Sequence, residues 1–397
     1  MSDDNNRVSR RNVLELTAGS LATAGATGVA SAKPEEKVEV NVGFKNERGL
    51  GAARQSATDV VREFDSIDAI TVELPKKAIS GLERNPNVRY VEENGTMEAL
   101  GETTPWGIDR VDADVVHANG DTGDGADVAI VDTGIDDDHP DLQANLGAGK
   151  AFVECGSGGW TGNCTFYGNG NDCNEPWSDD NDHGTHCAGS ADAADNQEGV
   201  VGVSTAATLH AVKVLDCAGS GTFSDIAAGV EYVANQGWDV ASLSLGGDSG
   251  SQTLHDAIQY ADDNGVLVVA AAGNAGPCTD CVKYPAKYPE CVAVSATTSD
   301  DQLADFSSQG PEVDIAAPGK NVNSTVPGGY TEFSGTSMAC PHVAGAAGLL
   351  MAGGDSNDQA RDQLASTAES IGLADNESGN GLLDAAAAMG YDSSDDT

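Results

Sequence analysis

The stretch from Gly265 to Ala272, GVLVVAAA, is apolar almost throughout. A strand buried on both faces reads this way, whereas a strand with one wet face alternates. Short apolar runs recur at Val128–Val131, Leu209–Leu215, Val240–Leu245, Val292–Ala296 and Val313–Ala316. Between them lie segments with helical spacing. Phe223, Ile226, Ala227, Val230 and Val233 share one face, as do Leu254, Ala257, Ile258 and Ala261. Met338–Met351 and Gln359–Ala368 read as further helices. Strands and helices that alternate in this way predict an α/β fold: a doubly wound parallel sheet with helices on both faces. Its site belongs at the carboxyl ends of the strands.

The 397 residues divide by pattern. Residues 1–32 read as a twin-arginine signal peptide. Arg10-Arg11 precedes a modest apolar run that ends in Ala30-Ser31-Ala32. That run is too short and polar for a membrane span, and no other segment qualifies. Residues 33–100 form a small α+β unit. Val38–Val42 alternates as a strand, Ala52–Phe64 reads as a helix and Ile67–Leu74 as a strand. Lys76–Leu82 reads as a short helix and Val88–Val91 as a strand. Gly95–Thr104 lacks periodicity and reads as an exposed linker, where proteolysis concentrates. Residues 101–390 carry the large sheet, and 391–397 form an acidic tail.

Asp and Glu number 63 against 20 Lys and Arg, a formal net charge of −43. Such a surface repels itself, and salt screens the repulsion. The balance excludes a nucleic-acid partner, which needs a basic face. Disorder, the other reading of an acidic chain, conflicts with the apolar periodicity. Nine cysteines, several in Gly- and Asn-rich loops, point to disulfides and at least one unpaired thiol. A zinc site at Cys278-x-x-Cys281 would need a second ligand pair, which the sequence lacks.

Four segments hold residues suited to chemistry. Asp132 ends an apolar run, in Val131-Asp132-Thr133-Gly134. His183 opens His183-Gly184-Thr185-His186-Cys187. Asn274 follows Ala271-Ala272-Gly273. Ser337 begins a helix in Gly335-Thr336-Ser337-Met338-Ala339. Singly, each has an ordinary reading as a helix cap, a turn residue or a packed histidine. Together they supply a nucleophile, a base, an orienting acid and an oxyanion donor. The residues alone do not choose between His183 and His186.

These segments, in the order Asp, His, Asn, Ser, resemble the subtilase family of serine peptidases, and within it the secreted members of halophilic archaea. The likeness runs from Pro105 to Met389. It implies that His183 is the base, Asp132 its orienting acid and Ser337 the nucleophile, with Asn274 and the Ser337 N–H binding the oxyanion. It implies polypeptide substrates, an acyl-enzyme intermediate and no cofactor for catalysis. Ser242–Gly247 is similar to the family's peptide-pairing edge strand. Ser244, Leu245 and Gly246 form one wall of the specificity pocket, and Ala271, Ala272 and Gly273 the other. Neither wall carries a charge, so a broad, apolar-leaning preference is expected.

Residues 37–93 resemble the family's ferredoxin-like pro-region, an intramolecular inhibitor cleaved between Met97 and Thr103. The resemblance also implies structural Ca²⁺. A first site takes Glu102, Asp141 and Asn196 with the carbonyls of Glu198 and Val200. A second, weaker one takes Asp314 and the Tyr288 carbonyl. A monomeric, extracellular enzyme exported by the twin-arginine translocation machinery is expected. Two features depart from the pattern. Asp132 and His183 are widely spaced, with Glu154–Asp182 between them read as a disulfide-pinned, solvated surface loop. Cys187 and Cys340 lie beside the catalytic histidine and serine.

Overall fold

The structure is a computed structural model, and it describes residues 37–64, 67–94, 102–156 and 173–393. The expected signal peptide, most of the linker and the end of the acidic tail lie outside them. The chain divides into two compact units between Glu98 and Ala99.

The first unit runs β1 (Lys37–Phe44), α1 (Glu47–Ser56), β2 (Asp59–Glu63), β3 (Ala69–Pro75), a 3₁₀ turn at Lys76–Ala78, α2 (Ile79–Glu83) and β4 (Val88–Glu93). The strands pair antiparallel in the order β2-β3-β1-β4, the split β-α-β arrangement of ferredoxin-like folds. Val40, Val42, Ile70, Val72 and Leu74 bury one face under Leu50, Ala53 and Leu82. The helix expected at Ala52–Phe64 is corrected. Asn46 caps α1 by accepting from Arg48 and Gly49 N–H, so the helix starts at Glu47 and closes at Ser56. The β-branched pair Val60-Val61 then extends as an edge strand on β3, with Val60 opposite Val72.

The second unit opens with α3 (Trp106–Arg110), α4 (Ala113–Asn119), β5 (Asp127–Asp132) and the short β6 (Lys150–Ala151). It continues with α5 (His183–Asp192), β7 (Thr208–Lys213), α6 (Phe223–Gln236), β8 (Val240–Leu243), α7 (Gln252–Asp263), β9 (Leu267–Ala271), β10 (Cys291–Thr297) and β11 (Ile315–Pro318). A hairpin, β12 (Val322–Val326) and β13 (Gly329–Phe333), leads into α8 (Thr336–Ala352) and α9 (Asn357–Thr367). Seven strands form one parallel sheet in the order β11-β10-β9-β8-β5-β7-β6.

Strand residues alternate between two cores. Val128 and Ile130 of β5 pack with α5, α8 and α9. Ala129 and Val131 pack with α6 and α7 on the opposite face. Chain order reverses at β5, which has β7 on one side and β8 on the other. The crevice at its carboxyl end is therefore where a site is expected.

Helix α8 is apolar all round because it runs through the interior. From Gly335 to Leu350 every residue is buried except Ser337. Cys155–Cys173 and Cys278–Cys281 are disulfides, so the latter pair is not a zinc site. Cys217 is also disulfide-bonded. Cys187, Cys291 and Cys340 are free and buried.

Helix α8 passes α5 so closely that a Cβ on Gly345 would lie 2.5 Å from the Ala191 carbonyl oxygen and 2.8 Å from Val203 Cβ. Gly345→Ala gains about 1 kcal/mol of helix propensity but should lose about 1–3 kcal/mol to overpacking. The expected net result is a lower thermal unfolding midpoint. An unchanged or raised midpoint would show that the two helices have room to part.

Candidate active site

Asp132 is the last residue of β5 and has no exposed surface. Its Oδ1 accepts from Thr133 N–H at 2.7 Å and from His183 Nδ1 at 2.7 Å. Its Oδ2 is buried and has no protein partner. His183 is the first residue of α5, with Asp182 before it in the left-handed region at φ 85°. Burial opposes an imidazolium at His183. The Asp132 carboxylate outweighs it, and holds the His183 pKa well above its ordinary value.

Two acids of the 154–182 segment fix this pair. Asp179 Oδ1 accepts from Thr133 Oγ1 at 2.8 Å and Asn181 N–H at 2.9 Å. Its Oδ2 accepts from Thr185 N–H at 2.9 Å and Thr185 Oγ1 at 2.6 Å. Thr133 Oγ1 in turn accepts from Gly184 N–H at 2.8 Å. Asp180 pairs with Lys213 Nζ at 2.6 Å, both side chains wholly buried. Lys213, at the end of β7, also donates to the carbonyls of Thr133 (2.5 Å) and Leu215 (2.9 Å). This end of the loop is thus part of the core. The expectation of a solvated surface loop is corrected for Asp179 and Asp180. The disulfide expectation holds at Cys155–Cys173.

The structure separates the two candidate histidines. His186 is buried, bonded through Nε2 to the Val322 and Thr331 carbonyls and stacked on Phe333. Burial pushes its pKa down to about 4.

Ser337 is the second residue of α8, and its Oγ donates to the Ser244 carbonyl at 3.2 Å. Ser244 Oγ returns a bond to the Ser337 carbonyl at 2.7 Å. Asn274 Oδ1 accepts from Thr336 N–H at 2.9 Å and Thr336 Oγ1 at 3.1 Å. Thr336 Oγ1 accepts from Gly273 N–H at 3.0 Å. With Oδ1 held, Nδ2 faces the turn before Ser337, 3.3 Å from where a Cβ on Gly335 would sit. Thr336 was not singled out in the sequence, where it reads only as part of the serine's motif. Cys187 Sγ lies 3.4 Å from the Ser337 carbonyl and 4.0 Å from His183 Nδ1. Cys340 Sγ points at the Val269 carbonyl instead.

The expected substrate-pairing segment is shorter than Ser242–Gly247. Ser242 and Leu243 belong to β8, an interior strand between β5 and β9. Ser244, Leu245 and Gly246 continue past the sheet. With His183, Leu215, Ile226 and Phe223 they line a cleft of about 670 Å³. Ser244–Gly246 and Ala271–Gly273 carry no charge, as expected, but a lysine from a separate segment lies against both. Lys283 N–H donates to the Ala272 carbonyl at 2.9 Å, and Tyr284 N–H to the Gly247 carbonyl at 3.0 Å. The segment Lys283-Tyr284 therefore bridges the two walls. A Cβ on Gly273 would lie 2.4 Å from Lys283 Cγ, and one on Gly246 would lie 3.1 Å from Lys283 Cβ. The Lys283 ammonium pairs with Asp248.

Of the expected cation ligands, Glu102, Asp141 and Asn196 come together. Asn196 N–H donates to Glu102 Oε1 at 3.0 Å, and its Nδ2 to Asp141 Oδ1 at 3.2 Å. Asp141 Oδ2 accepts from Val200 N–H at 3.0 Å. Burial and the neighbouring Asp141, Glu198 and Glu102 push the Tyr330 phenol up. Asn196 turns its Oδ1 to Glu198 N–H, not inward. In the second set each oxygen accepts one backbone N–H. Asp314 Oδ2 accepts from Ala293 N–H at 2.8 Å, and the Tyr288 carbonyl from Cys291 N–H at 3.0 Å.

Residues 123–385 match the model of the Subtilase family, and residues 27–94 match the Fervidolysin N-terminal prodomain. An alkaline protease from Shouchella clausii is 40% identical over 396 residues, covering 95% of this chain and 98% of that protein. Subtilisin E from Bacillus subtilis (strain 168) is 39% identical over 364 residues, 89% of this chain and 91% of that one. The thermostable alkaline protease of Halalkalibacterium halodurans is 39% identical over 381 residues, with 95% and 98% covered. A parallel sheet with Asp132 and His183 hydrogen-bonded at its carboxyl edge, and Ser337 opening the buried helix beside them, stands with matches over nearly the whole chain. The chain belongs to the subtilase family and is a serine endopeptidase.

Proposed function

We propose that this subtilase hydrolyses polypeptides through Asp132, His183 and Ser337, with Asn274 as oxyanion donor. The 2.7 Å bond from His183 Nδ1 to Asp132 carries the reading. It fixes the tautomer that leaves Nε2 free to accept a proton. Ser337 Oγ turns from the Ser244 carbonyl to His183 and loses its proton as it attacks the scissile carbonyl. His183 then gives that proton to the leaving amine, and water repeats the cycle on the acyl-enzyme. The Asn274 amide and the Ser337 N–H face the developing oxyanion, the latter an unpaired amide of the first turn of α8. The strand-like segment Ser244–Gly246 offers main-chain pairing to an extended substrate, which tolerates many sequences.

The first unit acts in this reading as an intramolecular inhibitor, removed by the enzyme itself within 97–103. The twin arginines direct export, and the acidic surface suits a salt-rich medium. Calcium is the cation that the first site's donors fit. They are oxygens throughout, and the buried Asp141 carboxylate has only neutral hydrogen-bonding partners. Glu102 and Asp141, with the Glu198 and Val200 carbonyls, would hold the ion, and Asn196 would join them once its side-chain amide turns so that Oδ1 replaces Nδ2 beside Asp141. Bound there it stabilises the native state and takes no part in the chemistry.

Ser337→Ala should fold, lack activity and remain a full-length precursor in a host without other proteases. Maturation of that variant would disprove self-processing. Asn274→Ala should lower kcat by about 10²–10³, the loss known for one such donor in a related subtilisin, with little change in KM. A change confined to KM would remove Asn274 from the oxyanion hole. The base must be neutral to act, and Asp132 raises its pKa. Activity should therefore fall as pH drops through a value above about 6.5, read from the acid limb of kcat/KM. A limb at or below 6.5 would contradict this. Circular dichroism of the Ser337→Ala protein should show folding in molar NaCl and loss of structure at 0.1 M salt with chelator. Ca²⁺ should slow that loss, and Asp141→Asn should remove most of the protection. Full structure at 0.1 M salt with chelator would defeat both the halophilic and the calcium readings.

A further inference from the structure

Lys283 is out of keeping with the rest of the substrate region. The two walls of the specificity pocket, Ser244–Gly246 and Ala271–Gly273, are uncharged. The segment that joins them carries a lysine whose stem packs on both wall glycines, Gly246 and Gly273. Its backbone is tied to both segments, through Ala272 and through the Tyr284–Gly247 bridge, so the stem's root is held beside Gly246 and Gly273. The side chain is only 26% exposed. Basic residues are scarce in this chain, 20 against 63 acidic. A general surface cation does not need its stem packed against two glycines. Lys287, four residues on, shows that ordinary case: it pairs with Asp280 and Glu312 away from the walls.

Among the described residues the Lys283 ammonium has one ionic partner, Asp248, whose side chain is 85% exposed. A pair with one partner so wet holds weakly and exchanges readily. Asp248 follows Gly246-Gly247, so it sits just beyond one wall. A carboxylate arriving beside Gly246 and Gly273 competes with Asp248 for the same ammonium. The lysine stem has four rotatable carbons and can turn its head from Asp248 to an incoming anion.

We infer that Lys283 determines specificity, and that this endopeptidase cleaves after acidic residues, the Asp or Glu carboxylate on the acyl side of the scissile bond pairing with Lys283 while Asp248 holds the ammonium when the pocket is empty. The inference rests on the pocket walls assigned by the proposed function. It narrows the substrate class from apolar-leaning to acidic. An uncharged isostere keeps the shape of glutamate but leaves Lys283 unpaired by substrate, so glutamine is the discriminating comparison.

The test uses the mature enzyme and quenched peptides that differ only at that position, with Glu, Gln, Leu or Lys. It compares wild type, Lys283→Met, Lys283→Arg and Asp248→Asn. Active serine is counted with a fluorophosphonate, so that a misfolded variant is not mistaken for a selective one. The wild type should favour Glu over Gln by on the order of tenfold in kcat/KM. Lys283→Met should bring that ratio to about one and raise the Leu rate. Lys283→Arg should retain a preference for Glu. Asp248→Asn should raise the ratio by freeing the ammonium. Equal rates on Glu and Gln in the wild type overturn the inference, as does a Lys283→Met variant that loses all four substrates alike. Hydrolysis of the Leu peptide with a Glu/Gln ratio of one defeats this inference alone. No hydrolysis and no labelling of Ser337 defeat the proposed function itself.

Discussion

Asp179 is a carboxylate with no exposed surface, and the geometry of the Asp132–His183 pair depends on it. Burial pushes its pKa up, and four hydrogen bonds to its two oxygens oppose that. Those bonds come from Thr133, just after Asp132, and from Asn181 and Thr185, on either side of His183. One anion therefore sets the distance between the end of β5 and the start of α5, which are 51 residues apart in the chain. Lys213 does the same from the next strand. Its ammonium holds the Thr133 and Leu215 carbonyls and Asp180 together. Removing one partner of such a buried pair leaves an uncompensated charge, which is far costlier than losing an exposed pair.

The parallel sheet explains why these anchors converge. Each strand of a doubly wound sheet delivers its last residue to the same edge. The reversal at β5 opens a crevice there that no crossover fills. Asp132 and Lys213 are direct neighbours in the β5–β7 register. Ser244 follows β8, and Asn274 comes three residues after β9. Helix α8, buried along nearly its whole length, reaches the edge from below with one half-open residue, Ser337. Ser337 is placed by the packing of an apolar helix, with Gly345 allowing the close pass against α5.

Much of this was legible in the sequence, for a definite reason. Buried strands, helical spacing and short glycine-bounded motifs are local signals, and they outlined the sheet and the four chemical segments. The choice of His183 over His186 was not local, because it turns on which ring meets Asp132 and which meets the Val322 and Thr331 carbonyls. Asp179 and Asp180 read as wet loop acids because their partners, Thr133, Thr185 and Lys213, reach them only through the fold. Lys283 escaped the reading of the pocket walls because it enters by backbone bonds from a separate segment. The helix drawn through Val60 and Val61 failed for the opposite reason. The local cap at Asn46 and the β-branched pair were present but outweighed by an apparent helical period.

Three cations of the large unit hold structural positions. Arg110 joins α3 to Asp301 and Glu369, residues far apart in sequence. Lys287 joins Asp280 and Glu312. Lys213 joins β7 to the loop before His183. These are cross-links between segments, not neighbours on one helix face. In a chain of net charge −43, salt acts differently on the two populations of charge. Repulsion among exposed acids is screened over a Debye length that shrinks to about 3 Å at 1 M. The Lys213–Asp180 pair has no exposed surface and lies beyond the reach of that screening. High salt can therefore relieve the surface without loosening the contact that holds the catalytic pair. The Lys283–Asp248 pair is the exception, because its Asp248 end is open to solvent.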